Sequence, residues 1–79
     1  MTQIKFWRDK NGREVDFIIK REGELTAYEV KYKKLIKRQD LTNLLYFKHT
    51  YQNARITIVN ENKPDLNMED LHCLAYYEV

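Results

Sequence analysis

One cysteine, one proline and two glycines are all this 79-residue chain holds of the residues that staple, break or loosen a fold. The lone Cys73 excludes an internal disulfide framework and any Cys-x-x-Cys zinc ribbon, and it suits a reducing compartment, so a cytoplasmic location is expected. Long apolar runs are missing as well. Val15 to Ile19 is interrupted by Asp16, no apolar run exceeds five residues, and Met1 to Lys5 lacks the apolar segment of a signal peptide, so no membrane partner is expected. Excess charge of one sign is also absent: 14 Lys and Arg against 12 Asp and Glu leave +2. Affinity for nucleic acid would therefore be modest and strongly salt-dependent. At this length one domain is the most the chain can form, and its core is small enough to lean on a partner or on further sequence.

What the chain does contain is alternation. Ile4, Phe6 and Arg8 interleave with Lys5 and Trp7, and Val15, Phe17 and Ile19 interleave with Glu14, Asp16 and Ile18. Asn11-Gly12 between them is a strong hairpin signal, because both residues tolerate positive φ. A third run, Leu25 to Tyr32, follows Glu22-Gly23, and a three-stranded antiparallel meander is predicted over residues 4 to 32. Beyond the basic connector Lys33, Lys34, Lys37 and Arg38, the spacing of Leu41, Leu44 and Leu45 predicts a helix over Asp40 to Tyr51 with Asp40 as N-cap. Ala54 to Val59 reads as a strand reached by a right-handed βαβ crossover and parallel to the third. Leu71 to Tyr77 reads as a last strand, with a helical reading of His72 to Ala75 left open. The predicted fold class is α/β with a mixed sheet, the helix lying on the face of Val15, Phe17 and Val30.

Register arithmetic selects the candidate site. With Glu22-Gly23 at the centre of the second turn, facing positions sum to 45, which sets Asp16 opposite Glu29, Glu14 opposite Lys31 and Ile18 opposite Ala27. With Asn11-Gly12 at the centre of the first, positions sum to 23, which sets Trp7 opposite Asp16 and Lys5 opposite Ile18. Facing carboxylates on neighbouring strands repel, so Asp16 and Glu29 need an offset. Either Lys31 supplies it within a solvated salt-bridge cluster, or a hard divalent cation such as Mg²⁺ or Mn²⁺ does. The cations Lys33, Lys34, Lys37 and Arg38 adjoin this cluster and are candidates for phosphate contact, with a solvated linker as the plain reading. Trp7 is read as a packing residue or a base-stacking one, and Tyr46, Phe47 and Tyr51 as the helix flank against the sheet. His49 is isolated and His72 and Cys73 point to opposite faces of a strand, which disfavours a zinc site.

Asp16 followed by Glu29-Val30-Lys31 resembles the D…(D/E)xK motif of the PD-(D/E)XK nuclease superfamily. More narrowly, residues 6 to 17 with Tyr28-Glu29-Val30-Lys31-Tyr32 resemble the nuclease-like C-terminal domain of bacterial and archaeal AAA-type ATPases. The resemblance covers about residues 5 to 60. It implies a restriction-endonuclease-like sheet and Mg²⁺-dependent hydrolysis of phosphodiesters. It also implies metal ligation by Asp16, Glu29 and the Val30 carbonyl, with Lys31 orienting or deprotonating the attacking water. The superfamily's first core helix has no counterpart before Ile4, and its Gln-x-x-x-Tyr signature is not met, since Asn43 stands four residues after Gln39. The expectation is a single nuclease-like domain, a fragment or C-terminal part of a longer protein, weak or inactive alone. It would pair with itself or with an AAA-type ATPase domain through an uncovered face bearing Ile18, Leu25, Ala27 and Trp7. The alternative is a non-catalytic interaction or regulatory module of such an ATPase.

Overall fold

A computed structural model describes residues 2–78 as one five-stranded sheet with one α-helix packed on it. The strands are β1 (Thr2–Arg8), β2 (Glu14–Arg21), β3 (Glu24–Val30), β4 (Arg55–Asn60) and β5 (Leu71–Ala75), and they lie in sequence order across the sheet. β1, β2 and β3 form the antiparallel meander, while β4 pairs parallel to β3 and β5 parallel to β4. The sheet is thus mixed, as the alternation and the crossover predicted.

The two hairpins set the register differently. Glu22 and Gly23 both have positive φ, 51° and 83°, the type I′ geometry whose twist matches paired strands. The pairs from Arg21–Glu24 to Phe17–Tyr28 accordingly sum to 45, as expected. The first loop is one residue longer than expected. Asp9 N–H donates to the Arg13 carbonyl and Gly12 N–H to the Asp9 carbonyl, with Gly12 at φ 83°, so Lys10 to Gly12 form a three-residue loop. Asp9 holds it together by accepting the N–H groups of Asn11 at 2.9 Å and Arg13 at 2.8 Å. Burial acts to raise the Asp9 pKa, but these two bonds and the Arg13 guanidinium outweigh it and hold the carboxyl below the usual aspartate range.

Near this loop, Trp7 therefore faces Val15 and Arg8 faces Glu14, not the predicted Trp7–Asp16 pair. The register returns to the predicted sum between Lys5–Ile18 and Thr2–Arg21, because β2 carries a bulge in which Phe6 alone spans Asp16 and Phe17. The bulge turns Val15 onto the same face as Ile18, and both are buried.

That face is the one the helix covers, which corrects the predicted arrangement. α1 (Thr42–Thr50) brings Leu44 and Phe47, with Leu41 just before it, against Val15, Ile18, Ala27, Ile56 and Ile58. Phe17 and Val30 lie on the opposite side. Ala27 presents only a methyl group beneath the helix, leaving room for its bulky side chains, and this steric fit explains the side chosen. Trp7 packs edge-on to Phe47 and Tyr51 and tilted to Tyr46, so it is a packing residue. The open face carries Ile4, Phe6, Phe17, Ile19, Tyr28 and Val30 instead of Ile18, Leu25, Ala27 and Trp7.

Three boundaries also shift. β3 stops at Val30 instead of Tyr32, and β5 stops at Ala75, where Tyr76–Glu78 turn into a short 3₁₀ segment. Asp40 is not the N-cap: it sits in a 3₁₀ turn, Arg38–Leu41, that leads into α1, and its carboxylate reaches back to the Lys37 N–H at 2.9 Å. Lys33 Nζ donates to the same carboxylate at 2.8 Å, and these two bonds, the Lys33 one foremost, hold the Asp40 pKa down. At the far end of α1, Lys48 Nζ donates to the carbonyls of Gln52 and Ala54 and so ties down the connection to β4.

Candidate functional site

The β2–β3 ladder gives way to side chains one step past Phe17–Tyr28. There the Asp16 N–H donates to Glu29 Oε1 at 3.1 Å, and the Val30 N–H donates to Asp16 Oδ2 at 2.7 Å. Each carboxylate thus takes the place of a backbone acceptor on the neighbouring strand. The β2 bulge makes this reciprocal exchange possible by displacing the Asp16 backbone from regular pairing. The sequence placed Asp16 and Glu29 side by side, and the structure does so by a finer device than simple cross-strand facing.

Electrostatics at the pair are uneven. Asp16 is exposed, whereas Glu29 is buried beside the core. Burial, and secondarily the Asp16 charge, push the Glu29 pKa above the ordinary glutamate range; Lys31 works against both. Lys31 Nζ lies 3.6 Å from Glu29 Oε2, the offsetting contact anticipated from their two-residue spacing. Asp16 Oδ1 has no partner among the described residues.

The oxygen donors here, two carboxylates and the Val30 carbonyl, suit a hard cation such as Mg²⁺ or Mn²⁺. The raised pKa of Glu29 is what a divalent charge between the carboxylates would relieve. The set is sparse, however: two carboxylate oxygens already accept backbone N–H groups and a third is held by Lys31. Among the described residues no group of three His, Cys, Asp or Glu side chains gathers at a metal-binding distance. Most of an octahedral shell would remain with water.

Beside Asp16 lies a hollow of about 460 Å³ lined by Phe6, Trp7, Arg8, Glu14 and Val15. Arg8 and Glu14 are ion-paired at its rim, and beyond the loop the Arg13 guanidinium lies over the Tyr46 ring at 4.0 Å. The basic connector divides. Lys33 is engaged by Asp40, and its backbone is clamped by Asn60, which accepts the Lys33 N–H at 2.9 Å and donates to the Lys33 carbonyl at 2.7 Å. Arg38 reaches Met68 Sδ at 3.8 Å. Lys34 and Lys37 are exposed. Asn60, buried at the end of β4, was not singled out by sequence; a polar residue closing a β-branched strand is its only signal. A larger hollow of about 670 Å³ contains none of these residues and opens where β3, β4 and β5 begin.

The chain belongs to the family described as a domain of unknown function, DUF4143, whose model matches residues 1–78. No curated protein and no solved structure matches the chain.

Proposed function

We propose that this domain is nuclease-like, with Asp16, Glu29 and Lys31 forming a D…ExK site for Mg²⁺-dependent hydrolysis of phosphodiesters in nucleic acid. The observation that carries the reading is the reciprocal bonding of Asp16 and Glu29, which holds two carboxylates together beside a lysine despite their repulsion. Asp16, Glu29 and the Val30 carbonyl would hold Mg²⁺ or Mn²⁺. Such an ion, when bound, polarises a phosphoryl oxygen and acidifies its water. Lys31 orients the attacking water and donates to the charge that builds on phosphorus, while Lys34 and Lys37 contact flanking phosphates. With so few ligands, metal affinity falls in the millimolar range. Catalysis also needs the nucleophile fixed in line, where about 1 Å of misplacement costs around 10²-fold, so cleavage by the chain alone is weak or absent.

Calorimetric titration of Mg²⁺ and Mn²⁺ into the chain tests this. Asp16→Asn keeps an acceptor for the Val30 N–H and should abolish binding without unfolding; unchanged binding would overturn the site. Metal-dependent plasmid nicking, if found, should vanish in Lys31→Ala.

The second reading is an interaction or regulatory module docked on an AAA-type ATPase domain or on a second copy. It draws on Ile4, Phe6 and Val30, which stand exposed together on the uncovered sheet face.

A further inference from the structure

The two edges of the sheet are built differently. β5 is five residues long, the N–H of its last residue, Ala75, donates to Glu78 Oε1 at 2.8 Å, and Tyr76–Glu78 turn out of the strand. That edge is short and capped. β1 is seven residues long and pairs only with β2, and among the described residues no backbone bond reaches the outer side of Gln3 to Arg8. The extra residue of the bulge lies on β2, so β1 itself stays regular. A regular, uncapped edge strand is a template for a further strand.

The side chains of β1 set what such a strand must carry. On the open face Ile4 and Phe6 are 70% and 90% exposed and flank the position of Lys5. On the α1 side Lys5 faces Ile18 and Gln3 faces Lys20, so Lys5 and Lys20 stand diagonally across the pair. Both are exposed, and neither forms an ion pair among the described residues. The edge therefore asks for a carboxylate between two apolar side chains. A second copy of β1 does not supply it. Identical strands pair antiparallel about a shared residue, and the register that uses β1 from end to end is centred on Lys5, which sets lysine against lysine. Centring on Ile4 or Phe6 shortens the pairing.

We propose that the outer edge of β1 takes an extended segment of a partner protein as a sixth strand, with apolar side chains beside Ile4 and Phe6 and a carboxylate opposite Lys5. Backbone hydrogen bonds give such an addition its affinity, and alternate side chains give it its specificity. Lys5 acts in both directions, barring the chain's own copy and selecting an acidic strand. The inference concerns the edge rather than the uncovered face as a whole, and it stands whether or not Asp16, Glu29 and Lys31 bind metal.

The test is ¹⁵N-resolved NMR titration of the whole chain with the end-capped peptide Ser-Thr-Val-Glu-Val-Thr-Ser, whose palindromic order serves either strand direction. Amide shifts and slowed hydrogen exchange should centre on residues 3–8. Replacing the peptide's Glu by Lys should weaken binding severalfold, and Lys5→Glu in the protein should invert that preference. Lys10→Glu makes the same change of net charge in the first loop and should leave the preference as it was; both lysines are exposed, so both variants should fold. A version of the peptide N-methylated along its backbone keeps its side chains but loses its N–H donors, and should not bind. Absence of shifts, equal binding of the Glu and Lys peptides, or no inversion in Lys5→Glu would overturn the proposal. Full affinity of the methylated peptide would also overturn it and move the contact to the uncovered face. A concentration-dependent dimer whose β1 amides are protected without peptide would overturn the choice of partner in favour of a second copy.

Discussion

Both faces of this sheet carry apolar side chains, yet α1 covers only one, and on the reverse only the β4 positions Thr57 and Val59, which alternate with Ile56 and Ile58, are buried. Ile18, Ala27, Ile56 and Ile58 are 7%, 0%, 1% and 0% exposed beneath α1, whereas Ile4, Phe6 and Val30 on the reverse are 70%, 90% and 47% exposed. The presence of apolar side chains does not by itself select the covered face. What distinguishes the closed side is relief: Ala27 recesses its centre, and the β2 bulge adds Val15 to it. The open side carries a ridge of rings, Phe17 stacked on Tyr28 and Phe6 protruding beside them.

The strongest way to break this contrast is Phe47→Ala. Phe47 is fully buried and contacts the rings of Trp7 and Tyr51, so its loss should cost about 3–5 kcal/mol and leave little folded protein in a urea titration. Ala27→Leu probes the recess itself. Overpacking there should cost about 1–3 kcal/mol, and a neutral result would mean that Ala27 does not decide where α1 sits.

Glu29→Gln sharpens the comparison electrostatically, because Glu29 is the charged residue drawn into the closed side. Its pKa is raised in the folded state, so in the acid range the unfolded chain loses its proton first, and folding weakens as pH rises through that window. Relative to the wild type, Glu29→Gln should gain a few °C in melting temperature between acid and neutral pH; parallel curves would refute the account. Asp9 and Asp40 have the opposite sign, with lowered pKa values whose stabilisation is lost as pH falls, and the difference between the two proteins cancels them. The smallest effect belongs to Phe6→Ser on the open side. Stability should move by no more than about 0.5 kcal/mol, while any self-association measured by light scattering should weaken.

Much of this arrangement was legible in the chain, and its failures share a cause. Glu22-Gly23 fixed the β2–β3 register because a type I′ turn leaves no freedom in pairing. Adjacency of Asp16 and Glu29 followed from it. Asn11-Gly12 was equally visible, but the same dipeptide also serves a three-residue loop ending in Gly12, and that single residue displaced Trp7 from Asp16 to Val15. The compensating bulge at Asp16 and Phe17 has no glycine or proline to announce it. Register arithmetic states which side chains share a face, not which face is covered, so the helix was assigned to the side of Phe17 and Val30. The Asn60 clamp arises from where β4 ends against the connector, which no local pattern encodes.

The sheet's division into a hairpin-linked half and a crossover-linked half has a kinetic consequence. β1, β2 and β3 meet through loops of a few residues, whereas β4 must close a loop of more than twenty residues to reach β3, and β5 pairs only once β4 is in place. Loop closure comes before the contacts that reward it, so the meander should form early and the parallel half late. Altering Gly23 should then slow folding, while truncating Leu74 on the last-docked strand should mainly hasten unfolding. The Asn60 clamp on Lys33, which exists only once β4 has paired, would then be among the last contacts of the molecule to form.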